Sequence, residues 1–424
     1  MFNKTKTSRH NALPAPALER LEDRTLLSGN VVGLVTAGTL TLTGDGADNT
    51  FTVDQAGLSA QQFRLTPDAT TQINNSGLGV PVIFNVVKKD VKMNLGAGND
   101  TVVFDTVALP GNVTIKDPLG DTSVTFDAST VVGRVVVRNG AGDDTFSLIN
   151  ASRIDHNVSI VNGNGDSDTT LDNSIILWDL KVNSGAGDDQ LDLLNVSLVN
   201  RYVLASFGKG DTSTLVDDSG ITGRLSVKTG AGGTDDVDIH GGSILSRGLD
   251  VRSGGVLTFQ ADDTRFDDNV SVRSKGALTA DLTGGSYFAF KVVLAGGSKA
   301  TSYLTFDTVT LNGSLSIRTD GGDDTVAVDD STFHGPTAIS LGGGTDTLLL
   351  DHTGANPGPV TTFAGRFAFN AGSGDDLVTL GTPTEAGNQV VFNGKSLFKG
   401  GAGDDTHTLP ENAIYNGPGK FVSF

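Results

Sequence analysis

The sequence has no cysteine, which excludes disulfides, thiol chemistry and zinc–thiolate sites. Proline is sparse at 12 of 424 residues, tryptophan occurs once, methionine twice, and aromatic residues make up 6%. With only 37% hydrophobic residues, neither a large compact core nor collagen fits. No apolar run approaches the roughly 18 residues that a membrane-spanning helix requires. Positive charge is also short: 30 Lys and Arg stand against 49 Asp and Glu, a net charge of −19. Nucleic acid and anionic membranes would be repelled, whereas solubility outside cells and attraction for cations are favoured. Glycine, by contrast, is plentiful at 56 residues. One elongated repeat fold could absorb the whole length as readily as two or three ordinary domains.

Residues 1–30 are basic and then polar, without the apolar centre of a secretory signal peptide, and read as a disordered leader. Within them, Leu18 to Ser28 (LERLEDRTLLS) carries Leu21, Glu22, Arg24, Leu26 and Leu27, with Asp23 in place of a proline. This segment resembles the LEPR-XLL-type N-terminal segment of large bacterial surface or exported repeat proteins. The resemblance covers about a dozen residues and implies export to the cell surface or extracellular space.

From residue 91 the chain keeps time. Apolar-x-apolar triplets begin at Val91, Val113, Val135, Val158, Leu180, Val203, Leu225, Leu249, Val270, Val292, Leu315, Ile339 and Phe367, mostly 21 to 24 residues apart. A second alternating series follows about a dozen residues later, in segments that end at Asp105, Asp127, Asn150, Asn195, His240, Gln260, Asp307, Asp330 and Asp351. A polar corner comes next, often Asp or Asn and then Ser, and then a short apolar piece such as Ile154, Ile175, Val199, Ile221 or Val309. Period-two alternation marks half-buried strands, and a beat of about 22 residues cannot bury its inward side chains unless successive laps stack. The expectation is an all-β, single-stranded, right-handed parallel β-helix, or solenoid. A coil spacing of about 4.8 Å makes 14 to 16 coils a rod of roughly 70 Å. A β-propeller would show four strands per ~40–45 residues; the similar triplets in each half-unit speak against it. Residues 31–90 lack a clean beat and read as an N-terminal cap with irregular first coils. Residues 91–424 read as the β-helix, loosening around Pro357–Pro359 and Pro383–Gly387, with Phe392, Phe398, Phe421 and Phe424 as a candidate end cap.

The motif that carries chemistry is a glycine turn ending in aspartate: GAGND at 96–100, GAGDD at 140–144, 185–189 and 401–405, GAGGTDD at 230–236, GGDD at 321–324 and GSGDD at 372–376. Weaker forms stand at 120–122, 163–168 and 208–212. Glycine suits a tight corner where backbone passes close to the next coil. The motif resembles the G-G-x-G-x-D-x-U-x nonapeptide of RTX calcium-binding β-rolls; Gly96 to Val102 fits apart from one glycine, although the tandem nine-residue spacing is missing. The resemblance implies Ca²⁺, a hard oxygen-seeking cation, held between stacked turns in an arrangement different from the family's. The candidate ligands are Asp100, Asp143, Asp144, Asp188, Asp189, Asp235, Asp236, Asp323, Asp324, Asp375, Asp376, Asp404 and Asp405. A competing reading needs no metal: Asp is a turn former that bonds its own backbone, and Lys116, Arg138, Lys228, Arg252, Arg273 and Arg318 form a basic ladder able to neutralise the acidic one.

No GxSxG, HExxH or P-loop pattern is present, and the six histidines fall at unrelated phases of the beat. The expectation is a non-enzymatic surface or extracellular structural and adhesion protein, binding a cell-surface polysaccharide or other copies of itself, with neither nucleic acid nor a transmembrane segment. The alternative is a β-helix polysaccharide lyase or hydrolase that acts on acidic polysaccharide, with the lone Trp178 as a candidate sugar platform.

Overall fold

Alternating strands that each bury one face need a partner above and below, and the chain supplies it from its own next lap. The structure, a computed structural model, describes residues 29–297, 300–351, 360–381, 389–408 and 413–424. The leader segment Leu18–Ser28 and the insertions at Pro357–Pro359 and Pro383–Gly387 therefore lie outside the described residues. The described chain has no helix and is a parallel β-solenoid of about 14 turns with about 23 residues per turn.

Each turn has three sides, and each side contributes one strand to a parallel sheet running the length of the stack. The first sheet contains the triplets: Val113 pairs with Val135, Val135 with Val158, Val158 with Leu180, and Leu180 with Val203. All five are fully buried. The second sheet holds the alternating series, such as Asp144–Ile149 on Ser167–Asp172. The third is built of mostly two-residue strands, among them Arg153–Ile154 and Ile175–Ile176. Its inward residues include Ile154, Ile176, Val199, Ile221 and Leu311. Ile176, not Ile175, is therefore the core residue of its lap.

The interior is one continuous aliphatic and aromatic column. Phe104 stacks on Phe126 with ring centroids 4.4 Å apart, and Phe333, Phe363, Phe392 and Tyr415 continue as a stack at 4.9, 5.4 and 5.3 Å. A parallel in-register stack places like residues over like, so aromatic rings meet face to face at the coil spacing.

Both ends depart from this pattern. At the start, Gly29–Thr36 and Thr39–Thr43 form an antiparallel hairpin, and Phe63–Pro67 pairs antiparallel with both Thr50–Asp54 and Val82–Phe84. Arg64 clamps Asp54 with two bonds of 2.6 and 3.0 Å. At the far end Phe421 stacks on Phe398 at 4.5 Å, and Phe424 meets Phe421 edge-on at 5.7 Å. Antiparallel pairing and terminal aromatics both cover edges that would otherwise present unpaired backbone or apolar surface.

Candidate functional site along the Gly-Asp corner

The glycine turns join the first sheet to the second, and they stack directly on one another. A Cβ on Gly165, whose φ is 129°, would lie 2.1 Å from the carbonyl oxygen of Gly142 in the preceding lap. Glycine is thus required by close backbone approach as well as by the left-handed turn.

The two residues after each such glycine begin an extended strand, so their side chains point to opposite faces. The adjacent aspartates therefore do not act as one chelating pair. Asp144, Asp189, Asp324 and Asp376 point into the corner and are at most 3% exposed, as is Asp100 in the GAGND turn. Asp143, Asp188, Asp323 and Asp375 point outward and are exposed. In GAGGTDD two further residues precede the aspartate pair and Thr234 takes the outward rung, so Asp235 is buried in register with Thr212 and Asp236 faces outward. In the last turn Asp404 is exposed and Asp405 half-buried.

The outward residues form a ladder. Asp143 Oδ1 accepts the backbone N–H of Asp166 at 3.0 Å, Asp166 Oδ1 that of Asp188 at 2.8 Å, and Asp188 Oδ1 that of Asp211 at 3.0 Å. The ladder begins with Asp48 beneath Asn99, continues with Asn99 beneath Asp121, and passes from Asp211 to Thr234. It adds Asp121, Asp166 and Asp211 to the aspartates expected from the sequence. A signal for them existed: each follows a positive-φ glycine, Gly120, Gly165 and Gly210, in the weaker GD turns whose acids were not counted as ligands.

The inward residues form a second ladder with a different rule. From Asp100 to Asp235 it alternates acid and hydroxyl: Asp100, Thr122, Asp144, Ser167, Asp189, Thr212, Asp235. Ser167 Oγ donates to Asp189 Oδ1 at 2.6 Å, and Thr212 Oγ1 to Asp235 Oδ1 at 2.8 Å. Farther along, acids follow one another: Asp324 N–H donates to Asp346 Oδ1 and Asp346 N–H to Asp376 Oδ1, both at 2.8 Å. Oδ2 of Asp100, Asp144, Asp189, Asp324, Asp346 and Asp376 is buried without a hydrogen-bond partner.

An unpaired buried carboxylate oxygen favours protonation or a cation. Burial pushes Asp144, Asp189 and Asp376 up to about 6 and Asp346 up to about 7. Asp117, buried against Asp100, is likewise pushed up to about 7 by burial. The orphaned oxygens and the all-oxygen donor set both fit a hard cation.

The basic ladder is in register but does not reach the acidic one. Lys228, Arg252 and Arg273 stack on consecutive strands, and Arg252 pairs with Asp250 on its own strand at 3.1 Å. Among the described residues no ion pair joins this column to a Gly-Asp turn. Mutual neutralisation by ion pairing is therefore not how the Gly-Asp aspartates are satisfied.

Trp178 is 41% exposed at the opposite corner. His156 lies against it at 5.3 Å, and the Arg201 guanidinium sits 5.0 Å from its centroid. Neighbours from adjacent laps thus already engage the ring. His240 bonds Asp217 at 2.9 Å, and His407 stacks on Phe421 at 5.1 Å. An open, acid-lined trough on the second sheet is bordered by Asp166, Asp168, Asp188, Asp211 and Asp236. Among the described residues no helix is long and apolar enough to cross a membrane. No protein-family model, curated protein or solved structure matches the chain.

Proposed function

We propose that this protein is an exported, non-enzymatic structural rod of the bacterial cell surface or extracellular matrix, whose Gly-Asp corner takes up calcium. The observation that carries this reading is the outer ladder. Asp121, Asp143, Asp166, Asp188 and Asp211 stand on five consecutive laps, about 4.8 Å apart. One oxygen of each is held by the backbone of the following lap, which leaves the other free to face a cation. Like charges at this spacing repel, and an exchangeable divalent ion between neighbouring rungs relieves the repulsion. Calcium then stiffens the stack without adding a covalent cross-link, which suits a chain that has no cysteine.

Adhesion is the role such a surface serves. The repeated sides offer aligned rows of Thr, Asp and Arg, and the stacked Lys228, Arg252 and Arg273 fit an acidic polysaccharide, with another copy of the rod as the competing partner. The enzymatic alternative requires a cleft and a sugar-binding platform, and nothing in the short uniform laps or in the engaged ring of Trp178 favours it.

Calorimetric titration with CaCl₂, paired with thermal melts in calcium and in chelator, tests the reading. Heat of binding and a raised melting midpoint are expected. Identical midpoints and no heat would remove calcium from the account, and turnover of uronate polymers in a lyase screen would overturn the non-enzymatic reading.

A further inference from the structure

The first and second sheets present opposite charge to solvent. Among the described residues, the parallel strands of the second sheet, from Asp100–Asp105 to Thr406–Thr408, hold no lysine or arginine. The first sheet reverses this. Lys116, Arg138, Lys228, Arg252, Arg273 and Arg318 all face outward from its strands and are exposed. Among the described residues Asp250 is the only acid that faces outward from a first-sheet strand, and it pairs with Arg252 on the same strand.

The two patterns share a period. Lys228 and Arg273 stand two laps apart with Arg252 between them, and Asp238 and Asp281 stand two laps apart with Gln260 between them. Asp192 lies two laps before Asp238. Each interval is about 9.6 Å, because a lap advances about 4.8 Å. Lys228, Arg273, Arg318 and Asp281 make no ion pair among the described residues, while Asp238 meets His240 at 3.8 Å. Burial, and then the charges of Asp307 and Asp262, raise Asp281 above the ordinary carboxylate range, as expected of a face with acid and no base. Around Asp238 the second sheet has an open depression of about 270 Å³, also lined by Leu215, Asp236, Thr258 and Gln260. A guanidinium entering it would meet carboxylates on fixed strands, which its planar fork matches.

We infer that the basic first sheet of one rod docks on the acidic second sheet of another, so that copies of this chain assemble side by side. The inference rests on the structural-rod reading, and calcium has no part in it. Equal lap spacing on both faces lets a whole row of ion pairs form together. The area suffices: first-sheet strands of four residues, such as Leu225–Lys228, over about 14 laps give a face of roughly 13 by 67 Å, or about 900 Å². A stable interface takes about 800 Å² from each partner. An acidic polysaccharide would cover the basic face and leave the acidic one unmatched, whereas a second copy matches both. Docking unlike faces is heterologous, and every added copy still presents one free face of each sign, so growth continues into arrays or closes into a ring.

The test is sedimentation velocity of the full chain in chelator. At about 0.1 M NaCl the Debye length of about 10 Å screens the long-range repulsion between copies but not pairs in contact, and at about 1 M it falls to about 3 Å. Assemblies larger than the monomer are expected at the lower salt and should dissociate at the higher. Lys228→Glu with Arg273→Glu makes both faces acidic, and Asp238→Lys with Asp281→Lys makes both basic. Each double variant alone should associate at least tenfold more weakly, and an equal mixture of the two should associate again, because each then supplies the face the other lacks. Recovery in the mixture also separates loss of docking from loss of fold. A monomer at both salt concentrations overturns the inference, as does association that neither salt nor the double variants weaken, or a mixture that stays apart. A chain that remains monomeric yet binds polygalacturonate through Lys228 and Arg273 overturns it in favour of an acidic polymer. Calcium-dependent melts are untouched by any of these outcomes, so the structural-rod reading stands or falls separately.

Discussion

The backbone N–H of Asp188 donates to the Oδ1 of Asp166, the residue one lap earlier, at 2.8 Å. A carboxylate that looks like a metal ligand in the sequence is thus also a backbone acceptor that locks one lap to the next. The side-chain oxygen of Asn99 accepts the same bond from the backbone N–H of Asp121, so charge is not needed for it. Asp166→Asn should leave the melting midpoint in chelator unchanged or slightly raised, because the acceptor stays and repulsion falls. Asp166→Ala should lower stability by about 1 kcal/mol, as read by denaturant titration. Equal losses in both variants would show that charge, not the hydrogen bond, holds the rung.

The inward acids predict a pH dependence of unusual sign for aspartate. Their pKa values rise from the ordinary 3.8 to about 6 at Asp144, Asp189 and Asp376, and to about 7 at Asp346. In that interval the folded chain holds more protons than the unfolded chain, so the stability these groups contribute is greatest below pH 3.8 and is lost as pH rises through 6 to 7. The melting midpoint in chelator should fall between pH 5 and pH 8, and Asp346→Ser, which copies the Ser167 rung, should flatten the fall. A midpoint that climbs across this range would refute the assignment.

Val196 adopts φ of 65° at an exposed corner, a left-handed conformation that β-branched residues avoid. The corresponding corners of later laps use Gly242 and Gly285, both with positive φ. Val196→Gly should therefore stabilise the fold by about 1 kcal/mol, opposite to the usual effect of introducing glycine. A lower midpoint would indicate that the valine makes contacts worth more than its strain.

Phe126 lies between Phe104 at 4.4 Å and Phe146 at 5.9 Å. Phe126→Ala should cost about 3–5 kcal/mol. Because a solenoid's laps contact mainly their neighbours, hydrogen exchange should quicken around residues 100–150 and change little beyond residue 300. Uniform acceleration along the chain would mean that the rod unfolds as a single unit.

Much of the fold was legible in advance. The triplet starts at Val135, Val158 and Leu180 gave the lap length, and those residues stack as expected. The corner glycines and the polar corner before each third-side strand were also visible. The serines of that corner hide a further ladder: Ser174 N–H donates to Ser197 Oγ, and Ser197 N–H to Ser219 Oγ, both at 3.2 Å. Spacing alone placed them at a turn but could not indicate that they bond across laps.

The sequence by itself determined the repeat, because period-two alternation and recurring glycine are local properties that any stacked lap must express. It also fixed the excess of acid and the absence of cross-linking chemistry. Only the tertiary structure decided what each aspartate does. Direction depends on phase within the strand, so Asp143 faces water while Asp144 is buried, and where Thr234 takes the outward rung the roles are exchanged at Asp235 and Asp236. Partnership depends on register between laps, which is why Asp172 meets an asparagine and Asp351 meets two further aspartates. Residues about 22 apart become neighbours only when the chain closes its turn, and that closure sets whether a carboxyl finds a donor, a proton or a cation.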